Sequence, residues 1–298
     1  MNSKSVSLLS GAGLLLAACI WGFAFVVVKD SLDYVGAIYM MAFRFSVAAI
    51  GLALIFCGKL RLLDRKYLLN GAVTGLFLFA AYAFQTVGCG YTTAGKNAFL
   101  TTVYVILVPL FSWPFYRKRP GWYVFAAALM SVAGIGLLAL GNDSENVFSV
   151  NLGDILTIIC GFFYAFHILW TEKCGRDGND PILITVLQFF FAAVFSWILA
   201  PFFDGGFPIE AVRNPHVVVS MLYLGIFSTM IAFSLQNIGL KYVQSSLASL
   251  LLSFESVFGV LFSTLFLHER ITPRMTAGCV LIFFAVILAE TKFSFRKK

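Results

Sequence analysis

Charge is scarce in this 298-residue chain. Asp, Glu, Lys and Arg together make up 12 % of it, about half the ~25 % of a soluble domain. Long polar stretches are missing too, and no segment between the apolar runs could form a soluble domain. Hydrophobic residues reach 60 % and the mean hydropathy is +0.90. One aqueous core could not hide that much apolar surface, so a soluble enzyme is excluded, and the composition is the reverse of the disorder signature. The chain also lacks paired cysteines. Cys19, Cys57, Cys89, Cys160, Cys174 and Cys279 are scattered, mostly inside apolar runs, and read as small hydrophobes, with no disulfide framework or metal site. Catalytic signatures are absent as well. The glycines of Gly11-Ala-Gly13 and Gly134-Ile-Gly136 sit inside apolar runs with no phosphate loop, and there is no Walker sequence, H-E-x-x-H motif or loop-borne Ser/His/Asp set. No enzyme, cofactor or metal is expected.

What the chain does have is ten apolar runs: 8–28, 36–57, 68–89, 95–116, 121–140, 152–172, 181–203, 216–239, 245–267 and 273–290. About 20 residues at 1.5 Å each cross a ~30 Å hydrocarbon layer, so each run predicts a membrane-spanning helix. The runs are continuous, without the strict alternation of barrel strands. The first exceeds the ~7–15 residue core of a signal peptide, and no cleavage pattern follows Val28. The fold class is therefore an all-α polytopic membrane protein in a lipid bilayer.

The net charge of +7 reflects topology. With both termini inside, fifteen basic residues fall on the inner side. Five fall outside (Lys29, Lys96, Arg213, Arg270 and Arg274), and Arg44 lies within a span. The bias predicts cytoplasmic termini in a plasma membrane, and nothing requires a nucleic acid. Ten spans suffice for a monomer or a weak dimer.

The two halves repeat. Gln85-x-x-Gly88-x-x-Tyr91 recurs as Gln236-x-x-Gly239-x-x-Tyr242, an offset of 151 that also relates Phe111-Ser112 to Phe262-Ser263 and Arg119 to Arg270. Arg44-Phe-Ser-Val-Ala-Ala matches Gln188-Phe-Phe-Phe-Ala-Ala at an offset of 144, which also aligns Lys29 with Lys173. Five spans per copy is odd, so the second copy enters the membrane upside down. Such inverted repeats build transporters with a substrate site near the midplane.

Further motifs carry a family resemblance. The first copy has Trp21-Gly22 with Lys29, then Ala42-Phe43-Arg44-Phe45, then Tyr91-Thr-Thr-Ala-Gly-Lys-Asn-Ala-Phe-Leu100. The second has Phe254-Glu255-Ser256-Val257 and His268-Glu269-Arg270-Ile271-Thr272. The chain resembles the EamA family of the drug/metabolite transporter superfamily over nearly its whole length, in two copies, 1–145 and 146–298. The family usually has Glu-Pro where this chain has Glu255-Ser256. The resemblance implies two inverted five-helix repeats and export of a small metabolite such as an amino acid, nucleobase or sugar derivative.

Polar residues at membrane depth are the candidate site. Arg44 and Tyr104 fall about 12 Å deep and Glu255 about 15 Å, at 1.5 Å per residue. Glu255 corresponds to Tyr104 at the repeat offset, and this pair points to a central cavity. Glu255 either binds a substrate amine or carries a proton, or it is a structural carboxylate; the resemblance also places a Glu there. Arg44 either grips a carboxylate or pairs with Glu255 or a helix C-terminus as a lock. Lys96 and Asn97 open span 4, where a bound anion would relieve a lysine set against the helix dipole, unless the lysine reaches the outer headgroups. Pro109 and Pro114 predict a kinked span 4, whereas span 9 has neither. His167 is a proton relay or a packing residue. Trp21, Tyr82, Tyr164 and Trp170 predict an aromatic lining. Gly71-x-x-x-Gly75 predicts close helix packing and says nothing about substrate. Together these residues suit a small zwitterionic or ring-bearing substrate, an amino acid first, exported by alternating access with Glu255 and His167 as the basis for proton coupling.

Overall fold

Without water in the hydrocarbon layer, a spanning segment must satisfy its own backbone N–H and C=O groups, and continuous apolar runs do so as helices. The computed structural model describes residues 3–92, 94–117, 120–139, 151–267 and 273–294, and no strand occurs among them. The helices are α1 (Ser3–Ser31), α2 (Ala37–Ile55), α3 (Arg65–Tyr91), α4 (Ala94–Thr101), α5 (Tyr104–Tyr116), α6 (Trp122–Ala139), α7 (Leu152–Arg176), α8 (Pro181–Phe203), the short α9 (Ile209–Arg213), α10 (Pro215–Tyr223), α11 (Ala232–Tyr242), α12 (Ser245–Leu252), α13 (Phe254–Leu267) and α14 (Pro273–Ser294). Each of the ten apolar runs falls on one of these helices or on a consecutive set. Span 8 joins α10 to α11 through a π-helical stretch, Leu224–Ile231.

Spans 4 and 9 are each broken in two. The break after Thr101 in span 4 and the break at Ser253 in span 9 lie at the same place in the two copies. Prolines do not cause them. Pro109 and Pro114 lie inside α5, past the break, and span 9 has no proline at all. Tightened turns interrupt the ladder in both copies. Val103 N–H donates to the Leu100 carbonyl and Val105 N–H to that of Thr102; in span 9, Ser256 N–H donates to the Ser253 carbonyl. The Ser249 and Ser253 hydroxyls bond carbonyls three residues back, offering the backbone a partner outside the α-helical ladder.

The packing is exchanged between the halves. Span 3 packs on span 6 and span 8 on span 1; span 1 packs on span 9 and span 6 on span 4; spans 2 and 7 pair, as do spans 5 and 10. Swapping the copies maps this pattern onto itself. The paired spans run in opposite directions: the start of α2 meets the end of α8, where Asp204 Oδ2 accepts from Ile38 N–H and Tyr39 N–H, both at 2.7 Å. At the other end Lys59 pairs with Asp180. The two five-helix halves are therefore inverted. The repeated glycines allow the exchange. A Cβ on Gly88 would stand 2.8 Å from Thr157 Oγ1 on span 6, and one on Gly239 would stand 3.0 Å from Leu14 on span 1. Gly71 and Gly75 seat span 3 on span 7, where a Cβ would meet Leu187 Cβ at 2.3 Å and the Gln188 carbonyl oxygen at 2.8 Å.

Asp180 also caps α8, accepting from Ile182 N–H at 3.0 Å and Leu183 N–H at 3.1 Å. Partial burial pushes its carboxyl up, but the Lys59 ammonium and the two N–H groups outweigh that and hold it below its ordinary 3.8. Its contribution to stability is therefore fully present above that ordinary value and is lost as pH falls through the lower folded one. Asp180→Ala is expected to cost about 1 kcal/mol, the typical worth of a cap. Thermal unfolding in detergent should show the full deficit at pH 7 and a smaller one as the wild type is acidified.

Candidate functional site

The two breaks meet at the centre of the bundle. Tyr104 opens α5 and Glu255 sits in the first turn of α13, so each points inward just past an interruption. The Tyr104 hydroxyl donates to Glu255 Oε1 at 3.1 Å, one residue from each half and 151 apart in sequence. Both line a cavity shared by spans 1, 2, 3, 4, 6, 8 and 9. About 50 Å³ of it admits the centre of a water molecule, room for a few waters.

Arg44 faces the same cavity and is 2 % exposed. Among the described residues it has no carboxylate partner, so the expected pairing with Glu255 is not made. Its Nε donates to Thr229 Oγ1 at 2.9 Å and its Nη2 to Ser228 Oγ at 2.9 Å. Its guanidinium lies 4.5 Å from the centre of the Tyr82 ring. All these partners are neutral. The π-helical stretch of span 8 supplies the two hydroxyls, and it also leaves the Ser228 carbonyl to accept from Trp21 Nε1 at 2.7 Å. A π-helical turn of this kind is frequently found at functional sites.

Aromatic rings run between Arg44 and Glu255. Tyr82 and Tyr164 stand 5.7 Å apart edge to face, and Tyr164 and Tyr104 stand 6.3 Å apart. Phe233 closes the wall, 4.8 Å from the Trp21 ring and 5.9 Å from that of Tyr82. Amides complete it. Tyr164 donates to Gln85 Oε1 at 2.9 Å, and Gln85 Nε2 donates to Thr101 Oγ1 at 3.1 Å. Asn97 Nδ2 donates to the Gln85 carbonyl and to Thr157 Oγ1, while Asn97 Oδ1 is buried without a partner among the described residues.

The structure thus gathers seven of the sequence-selected residues around one cavity: Trp21, Arg44, Tyr82, Asn97, Tyr104, Tyr164 and Glu255. The Lys96 side chain lies outside the described residues. His167 does not line the cavity. Its Nε2 lies 3.0 Å from Gln188 Oε1 and its ring meets Phe233 edge-on, so Phe233 stands between it and the cavity. The two residues on which proton coupling was expected to rest are therefore not brought together. Trp170 sits away from the lining too, under Lys173 Nζ at 4.3 Å. Sequence reasoning missed Gln85, Gln236, Thr101 and Ser228 as lining residues. The two glutamines were visible as repeat markers; a polar residue kept at one depth in both copies was the signal that they face a shared centre.

The lining reaches Val28, Cys89 and Asn97, toward the end of the bundle where α1 finishes at Ser31. Toward the opposite end, where α7 finishes at Arg176, two further contacts join α5 to α7. The Tyr116 hydroxyl donates to the Leu169 carbonyl at 2.9 Å, and the Arg176 guanidinium stacks 4.1 Å over the Tyr116 ring.

Inverted halves, paired broken helices and a polar midplane cavity define a membrane transporter architecture. The model of the EamA-like transporter family matches residues 9–140 and 151–291. The chain belongs to that family. It is 35 % identical over 94 % of its length to an uncharacterized transporter of Archaeoglobus fulgidus, covering 85 % of that protein. It is 24 % identical to a probable amino-acid metabolite efflux pump of Escherichia coli, over 91 % of each chain. A crystal structure with 18 % identity superposes with a TM-score of 0.77 over 99 % of both chains and shows the same fold.

Proposed function

We propose that the protein exports a small zwitterionic metabolite of the amino-acid class through the central cavity by alternating access. The observation that carries this reading is the isolated buried cation. Among the described residues Arg44 is held only by neutral groups, across an aromatic-lined cavity from Glu255. A substrate carboxylate would supply the anion that Arg44 lacks, in the forked geometry a guanidinium favours. An ammonium group would reach Glu255 and find in Asn97 Oδ1 an acceptor that has no partner among the described residues. The rings of Tyr82, Tyr104, Tyr164 and Trp21 would hold the apolar part. Substrate would enter and leave as the two inverted halves, 1–145 and 146–298, rock about this site. Support for the substrate class also comes from the resemblance to the efflux pump, and support for cytoplasmic termini comes from the charge bias.

The test is counterflow in liposomes with free amino acids, their N-acetyl derivatives and their methyl esters. Exchange of free amino acids, with blocked forms excluded at either end, is the expected result. Equal exchange of free and blocked forms would remove the two-pole site. Exchange of neutral nucleobases alone would move the protein to the second metabolite class.

A further inference from the structure

Buried polar atoms without partners cluster in one part of the molecule. Of the eight unpartnered side-chain atoms among the described residues, four lie on consecutive turns of α7: His167 Nδ1, Trp170 Nε1, Thr171 Oγ1 and Glu172 Oε2. A fifth, Gln188 Nε2, belongs to the residue that meets His167 from α8. His167 and Gln188 are fully buried and Thr171 is 4 % exposed. His167 and Thr171 are four residues apart and share a helix face. Folded proteins satisfy nearly all such groups, so a cluster of exceptions needs a cause.

Its position supplies one. The ring centres of His167 and Phe233 stand 5.8 Å apart, and Phe233 lines the central cavity while His167 does not. One aromatic ring therefore separates the cavity from the cluster. The cluster lies on the side of that ring toward the Arg176 end, where the Tyr116 and Arg176 contacts join α5 to α7. It also mirrors the central site. Gln188 is the repeat mate of Arg44 at offset 144, and Phe233 is the mate of Tyr82 at offset 151.

We infer that His167, Thr171 and Gln188 form a second, inner station for the polar groups of the substrate, with Phe233 as the gate between it and the central cavity. The inference rests on the transport reading above. In the state described, the station is shut: His167 and Gln188 bond each other, and His167 Nδ1, Thr171 Oγ1 and Gln188 Nε2 go without partners among the described residues. When the Arg176 end opens, water and then substrate supply those partners. The unmade bonds keep the closed state from being too stable to leave. The station offers hydrogen-bonding groups and no fixed charge opposite the substrate, so it would hold substrate more weakly than the central site and allow it to pass on.

Thr171→Cys and Ser196→Cys, each placed in a chain with the six native cysteines replaced by alanine, give the test. Ser196 is equally buried, but its hydroxyl is satisfied within α8 by the Ala192 carbonyl. A membrane-impermeant thiol reagent applied to the Arg176 side should modify the Thr171 position at least about tenfold faster than the Ser196 position, as for a site exposed by a sub-global motion rather than by unfolding. Adding Phe233→Ala should make the Thr171 position reactive from the opposite side as well. Equal slow labelling of both positions, or labelling of Thr171 from the Ser31 side alone, would overturn the station. An unchanged pattern in the Phe233 variant would overturn the gate. If the cysteine-free chain does not fold, hydrogen exchange of the unmodified protein makes the same comparison between amides 167–171 and 192–196, with faster exchange expected in the first set and equal protection counting against the station. Labelling requires no substrate. A chain labelled as expected that exchanges no amino acid would sink the substrate class and leave the station in place.

Discussion

Arg44→Ala is expected to raise the half-saturating concentration of a zwitterionic substrate about tenfold to a hundredfold, because a hydrogen bond to a charged group is worth ~1.5–3 kcal/mol and each 1.4 kcal/mol is a factor of ten. The folded protein should survive. Thr229 Oγ1 keeps its bond to the Leu224 carbonyl at 2.7 Å, and Trp21 keeps the Ser228 carbonyl, so the π-helical turn retains both supports. The structural losses are the partner of the Ser228 hydroxyl and the packing of the guanidinium on the Tyr82 ring. Arg44→Lys should not restore transport, since an ammonium keeps the charge but cannot make the fork or stack on Tyr82. Counterflow kinetics on protein shown to be monodisperse checks both variants. Normal transport by the alanine variant would show that Arg44 is a lock between spans 2 and 8 and touches no substrate.

Gly22→Ala is expected to be strongly destabilising. A Cβ at Gly22 would lie 2.6 Å from Phe258 Cβ, 2.7 Å from the Gly259 nitrogen and 2.9 Å from the Glu255 carbonyl oxygen. Two of these neighbours are backbone, so α1 and α13 would have to separate. Overpacking of this kind costs ~1–3 kcal/mol or more. It would also push aside the helix turn that carries Glu255. Gly13→Ala on the same helix is the control. Its Cβ would stand 3.5 Å from Leu235, an ordinary contact, and removing a helix-interior glycine should stabilise by ~0.5–1 kcal/mol. Thermal unfolding of the two variants should therefore move in opposite directions from wild type. A shared direction would mean that the α1–α13 contact yields easily.

Hydropathy alone made the ten spans legible, because a run of about 20 apolar residues has few other uses. The repeat offset made the Tyr104–Glu255 meeting legible, since two residues equivalent under an inverting axis come together when they lie near it. Other features were hidden for physical reasons. Pro109 and Pro114 drew attention to the middle of α5, yet a proline removes one donor where it stands and does not dictate a break several residues upstream. The hydroxyls of Ser228 and Thr229 carry no sequence signal as partners of Arg44, because the π-helical turn that aims them depends on packing against spans 1 and 2. Asp204 carries no sequence signal as a cap; its role in capping α2 depends on contact between halves 166 residues apart. His167 was read by its chemistry, and only the position of Phe233 shows which side of the cavity wall it occupies.

Because every major helix contact has a mirror-related twin, two copies of a five-helix polypeptide inserted head-up and head-down would make the same set of contacts as this single chain. Such an ancestor would need no charge bias, since it would have to adopt both orientations to assemble. In a single chain each half can differ from the other: one holds an arginine where the other holds a glutamine, and a tyrosine where the other holds a phenylalanine. Those mismatched pairs make the two halves of the site unequal.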